Sequence, residues 1–337
     1  MAQADFGNLL SVLRREAPAR PTLFEFFLNE RLYERLGGPV DPAEGSLAGQ
    51  LRLVRAFAAA GYDYATVHGA DFGFSAGEVH RAASISQNEG AVITDRASFE
   101  AYPWPDPDAC DYRRLADLAP YLPVGLKLVV PGPGGTLENA IRLVGYEPLC
   151  LLTMDDPALA DDVFAAIGSR LVRYYEHCAA YDTVGALIAN DDWGHKTQTL
   201  LPPAAMRRYV FPWHARIVAA IHAAGKPAIL HSCGARHEIM ADIVALGFDG
   251  VHSYEDLIQP VEAAYEQWHE QVAILGGIDV DFLCRASLDQ IRARSAAMLD
   301  RAAQRGSYAL GSGNSIPYYV PDESYFAMVE VATAGRE

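Results

Sequence analysis

The sequence predicts an α/β protein, a (β/α)8 TIM barrel with an N-terminal helical extension. Three observations lead there. Eight short apolar segments recur along the chain, most of them separated by helical runs, as parallel βα units read. Several units repeat one order: a helical run, a glycine stop, then an apolar strand. Polar residues gather just beyond the apolar segments, where a barrel of this kind carries its active site. An open doubly wound sheet is the alternative, but no strand is followed by GxGxxG or a Walker loop.

In chain order, residues 1–20 form the extension and contain no long apolar run. Neither a signal peptide nor a membrane anchor is therefore expected, and the cytoplasm is the expected compartment. The eight segments lie at about 23–27, 63–68, 126–131, 185–190, 227–232, 248–253, 272–278 and 307–312. Before the second, Leu47, Leu51, Val54 and Phe57 fall at helical spacing and Gly61 ends the run. Residues 78–125, with "AYPWPDPDACDY", are long and proline-rich, and read as an excursion over one barrel end, part of a lid. Gly225 and Gly247 end the helical runs before the fifth and sixth segments. Ser287 and Gln290 are spaced as a capping box, and the helix they open stops at Gly306 before the eighth. One barrel domain over 1–337 accounts for the whole chain.

Composition narrows the function. Half of the 337 residues are apolar, enough to bury a large core. The 43 acidic residues outnumber 27 basic ones, and no Lys/Arg cluster is visible, which argues against nucleic acid. Five cysteines, an odd number without a CxxC pair, argue against a disulfide framework.

Candidate chemistry sits at the segment ends. In "ILHSCG", His231 and Cys233 are two apart, so at a strand end both side chains point the same way. Imidazole and thiolate are good zinc ligands, although two make only half a site. A buried thiol beside a hydrogen-bonded histidine is the alternative, as is a histidine-activated thiol nucleophile. "NDDWG" offers Asp191 and Asp192, only one of which can point inward, as ligand, acid–base group or helix cap. His252 and Tyr254 in "VHSYED" form a further candidate catalytic pair, beside Glu255 and Asp256. Glu25 and Asn29 end the first segment, His68 and Asp71 the second, Asp279 the seventh, and Ser312 and Asn314 the eighth. Of these, Glu25, Asn29, His68, Asp279, Ser312 and Asn314 are the candidate substrate-binding residues.

The stretches "NDDWGHKTQTLLPPAAMRRYVFPWHARIVAAIHAAGKPAILHSCG", "LGGIDV" and "GSGNSIPYYVPDESYFAM" resemble the uroporphyrinogen decarboxylase superfamily, in particular its corrinoid-linked methyltransferase-like branch. The resemblance runs from about Leu23 to the C-terminus. It implies a barrel with a cleft at the carboxyl ends of the strands. In that branch an HxCG strand end supplies two zinc ligands, matched by His231 and Cys233, and a later cysteine supplies another. "ALGSGNS" places Ser312 or its neighbours where that cysteine is expected, so the third ligand would come from Asp191, Asp192, His252 or Glu255.

The expectation is a zinc-dependent methyltransferase moving a methyl group between a small methylated or thiol substrate and a methylcorrinoid held on a partner protein. One rival is a metal-free decarboxylase or lyase using Asp192, His252 and Tyr254. Another is a barrel that binds without turnover. A true uroporphyrinogen decarboxylase is disfavoured because Glu25, expected at the mouth, and a net charge of −16 oppose a polyanionic substrate.

Overall fold

The computed structural model describes residues 3–77, 88 and 90–334. Its centre is a seven-stranded parallel sheet in strict chain order: β1 (Tyr64–Thr66), β2 (Lys127–Pro131), β3 (Val184–Asn190), β4 (Ala228–His231), β5 (Gly250–His252), β6 (Ala273–Leu275) and β7 (Tyr308–Ala309). These match the second to eighth predicted segments. All but the edges of the strands are buried, because helices cover the outer face and apolar side chains fill the inner face of the curled sheet.

The first predicted strand is reduced to a bridge. Leu23 pairs with Leu310, the Phe24 N–H donates to the Leu310 carbonyl (2.8 Å), and Leu310 N–H donates to Thr22 (2.8 Å). On its other side the segment meets β1 through a side chain. The Tyr64 hydroxyl accepts from the Glu25 N–H (2.7 Å) and donates to the Glu25 carbonyl (2.6 Å). A phenol that satisfies both main-chain groups takes the place of a strand ladder, so the regular sheet has seven strands rather than eight.

The predicted helices form where the apolar spacing places them. Ala48–Ala60 precedes β1, and Leu288–Ala302 precedes β7 with the Ser287/Gln290 capping box in place (Gln290 N–H to Ser287 Oγ, 3.3 Å; Ser287 N–H to Gln290 Oε1, 2.9 Å). The helix before β4, Phe211–Ala223, is entered through a π-turn at Met206–Val210. Pro212 has no N–H to give the preceding turn, and the wider turn absorbs that loss.

In the N-terminal extension, Gly7–Leu13 is helical and buries Leu9, Val12 and Leu13. Phe6 packs at Gly185 and Leu13 at Gly250, both at strand starts, so the extension covers the amino end of the sheet, opposite the candidate site. Of the predicted excursion, 78–87 and 89 lie outside the described residues. Of the described remainder, residues 104–112 pack against the helix Pro157–Ala179. Arg170 donates to the Pro105 carbonyl (2.9 Å) and lies over the Trp104 ring, while Tyr112 stacks on His177 (4.7 Å between ring centres). No helix among the described residues is long and apolar enough to cross a membrane.

Candidate metal centre

Register brings the site together. Asn190 pairs with His231 across β3 and β4, and His231 with His252 across β4 and β5. Past the strand ends, residues 191–195 and 231–235 stay zipped: Asp191 N–H donates to the His231 carbonyl (3.0 Å), Gly194 N–H to Cys233 (3.2 Å) and Ala235 N–H to His195 (2.7 Å). This needs glycine at 194 and 234, where an added Cβ would lie 2.5 Å from the Ala235 oxygen and 2.2 Å from the Gly194 carbonyl, respectively.

The zipped loops set Asp192 against Cys233, whose N–H donates to Asp192 Oδ1 (2.8 Å). His231 Nε2 is 3.7 Å from Cys233 Sγ. One ligand atom each from Asp192, His231 and Cys233 lies within 4.8 Å of the others. Ligand atoms around a tetrahedral zinc sit about 3.3–3.8 Å apart, so a small contraction closes the three on one ion. Among the described residues this group offers three ligand atoms, which on a tetrahedral zinc would leave a fourth position for water or substrate. Asp192 and Cys233 are partly exposed at the mouth, with His231 buried behind them.

The electrostatics suit a cation. Burial, then the neighbouring His252 and Arg236, hold the His231 imidazole well below its usual pKa. Burial drives His252 down to about 4. The Cys233 thiol is pushed up to about 12, by burial first and then by the Asp192 carboxylate. A divalent cation bound here would pair with the Asp192 carboxylate, and its binding would release the thiol proton.

Asn314 and Ser312 part company. Asn314 Nδ2 donates to Cys233 Sγ (3.2 Å), its orientation set by Ser315 N–H donating to Oδ1 (2.8 Å). The residue of "GSGNS" that faces the thiol is therefore Asn314. Ser312 turns away and is fully buried, its N–H donating to Glu25 Oε1 (2.9 Å) and its hydroxyl bonded to the same carboxyl.

Glu25 is not at the mouth, as expected from the sequence, but fully buried beneath it, so it repels no incoming anion. Burial raises its carboxyl pKa to about 8. The folded state thus binds this proton more tightly than the unfolded chain does. Its contribution to stability is complete below about pH 4.5 and declines as pH rises through about 8, by at most about 5 kcal/mol. Glu25→Gln is expected to flatten that slope. Urea unfolding of both proteins at several pH values checks it, and parallel pH profiles would contradict it.

The other candidates divide by role. Asp191 is fully buried on the opposite side of the chain from Asp192, bonded to His214 and to the start of the helix Thr136–Val144. Asn29 and Asp279 cap helices, accepting from Leu32 N–H (3.0 Å) and Phe282 N–H (2.9 Å). Asp279 also accepts from Asp256 N–H (2.8 Å). His68 is exposed and stacks on Phe27 (5.9 Å between ring centres), and Asp71 pairs with Arg114. Tyr254 is buried with Arg236 over its ring (5.4 Å).

Two residues at the site escaped the sequence reading. Arg236 is buried three positions after Cys233, with its guanidinium donating to the Ser232 and Ser253 carbonyls. Glu138 has its carboxyl raised to about 8 by burial and by Asp191 and Asp192. Arg236 was legible as a cation within the same short motif. Nothing in "GGTLEN" hinted that Glu138 lies near Asp192, which belongs to another loop.

With this geometry in hand, the comparisons with known proteins are clear on class. Residues 129–334 match the uroporphyrinogen decarboxylase (URO-D) family, and the chain belongs to it. Its fold is similar to that of a methyltransferase from Methanosarcina mazei, with a TM-score of 0.71 and 15% identity over 96% of this chain and 97% of that one. A β-L-arabinopyranosidase from Geobacillus stearothermophilus aligns more loosely, with a TM-score of 0.42 and 11% identity over 96% and 78% of the two chains. A sequence search among curated proteins finds no match.

Proposed function

We propose that this protein is a zinc-dependent methyltransferase that moves a methyl group between a small methylated or thiol substrate and a corrinoid carried by a separate protein. The observation that carries the reading is the convergence of Asp192, His231 and Cys233 at the carboxyl ends of β3 and β4. The named activity of the Methanosarcina mazei neighbour and the URO-D membership support it. The same reading takes the chain as one cytoplasmic barrel domain, with Thr22–Glu25 as its eighth stave between β7 and β1.

When bound, zinc would lower the pKa of a substrate thiol or polarise a methoxy oxygen. The residues of the chain do the rest. Asp192, His231 and Cys233 hold the ion and fix where the substrate atom docks. The Asn314 amide donates to the Cys233 sulfur and favours its thiolate. Asp192 also anchors the Cys233 main chain, so ligand and scaffold move together.

Purified protein is expected to retain about one zinc per chain, and His231→Ala to retain far less. Supplied with a methylcorrinoid and a panel of thiols, methoxylated compounds and methylamines, the loaded wild type should turn over at least one class. A protein that binds no zinc, or whose turnover is unchanged in His231→Ala, would end the reading.

A further inference from the structure

We infer that His252 is a positioning residue that holds His231 in the one tautomer able to bind a metal through Nε2. The inference begins at a main-chain carbonyl. His252 Nε2 lies 3.2 Å from the Ser312 oxygen, which has no proton to offer, so His252 Nε2 must carry the hydrogen. In a neutral imidazole the other nitrogen is then bare. His252 Nδ1 is 2.8 Å from His231 Nδ1, so the proton between them belongs to His231. That leaves His231 Nε2 without a proton, and Nε2 is the atom that faces Cys233 and completes the three-residue cluster. Ring nitrogens of ligating histidines are commonly set by the bond on the far side of the ring.

The surroundings hold both rings in place. Neither has a carboxylate as hydrogen-bond partner among the described residues, so no anion holds a second proton on either ring. Phe26 packs against the His231 ring (4.5 Å between centres) and Phe24 meets His252 edge-on (5.1 Å). The Ser312 carbonyl is itself aimed: Ser312 N–H is held by Glu25, and the carbonyl also accepts from Gly277 N–H (2.8 Å). Space for its bond to His252 exists because residue 276 is glycine, in the left-handed region at φ 69°. A Cβ there would lie 2.2 Å from the Ser312 oxygen and 2.9 Å from His252 Nε2. The line Glu25–Ser312–His252–His231 thus runs from the first segment through the β7 loop and β5 to the end of β4.

The tautomer follows from the hydrogen-bond geometry, whereas its use as a ligand rests on the zinc reading above. Two measurements separate them. In metal-free wild type labelled with 15N-histidine, NMR should show His231 as the Nδ1–H tautomer, assigned by its disappearance in His231→Asn. An Nε2–H His231 overturns the inference whether or not zinc binds. In zinc competition with a chromogenic chelator, His252→Leu, which removes the acceptor, should lose about 10–100-fold in affinity. His252→Gln should stay within several-fold of wild type, because its amide can accept from His231 and donate to Ser312. Equal losses in both variants, or none in His252→Leu with its unfolding midpoint near wild type, would also overturn it. A wild type that binds no zinc but shows the Nδ1–H tautomer would sink the proposed function and leave this inference standing.

Discussion

Cys233→Ser should bind zinc more than about 100-fold more weakly than wild type, a larger loss than removing a residue that merely orients a ligand. Its thermal unfolding midpoint should stay close to wild type. Sulfur supplies the softest of the three candidate ligands, and a serine hydroxyl stays protonated near neutrality and is a poor replacement. The fold has little at stake, since Cys233 is partly exposed and its main-chain N–H keeps Asp192 as acceptor in the variant. Asp192→Asn extends the test. The asparagine carbonyl can still accept from Cys233 N–H, so the loop stays zipped while the anionic ligand is lost. Chelator competition and thermal unfolding on the same preparations check both variants. Zinc affinity unchanged in either one would remove that residue from the site.

The adjacent aspartate should behave in the opposite way. Asp191→Ala is expected to cost about 3–5 kcal/mol of stability while the folded fraction still binds zinc. The fully buried Asp191 carboxylate accepts from Leu137 N–H (3.0 Å), Glu138 N–H (2.9 Å), Thr136 Oγ1 (3.2 Å) and His214 Nε2 (2.9 Å). It satisfies the first turn of the helix Thr136–Val144, where an anion is also favoured by the helix dipole. Alanine would leave two main-chain donors, a hydroxyl and a buried imidazole without their partner. Urea unfolding gives the stability, and a loss below about 1 kcal/mol would show that water or a neighbour replaces the carboxylate. Together the two aspartates dissociate stability from metal binding at neighbouring positions.

The contrast between them shows how far a linear reading reaches. Two adjacent carboxylates at a strand end must point to opposite sides, and "NDDWG" revealed that much. Which one faces the mouth depends on the exit of β3 and on where the helix Thr136–Val144 begins, 55 residues earlier than Asp191 in the Thr136 contact. "HSCG" likewise announced a pair on one side of one strand. Its partner carboxylate comes from the neighbouring loop, and only the zipped glycines 194 and 234 bring the two within reach.

Local periodicity and glycine stops were enough to establish parallel βα units, seven of the eight strands and the capping box at Ser287. All of these follow from interactions within a few residues of one another. The reduction of the first strand to a bridge, the burial of Glu25, the turning of Ser312 away from Cys233 and the pairing of His231 with His252 came from the folded chain alone. Each depends on contacts between segments far apart in sequence, and no spacing along one strand encodes the register of the next.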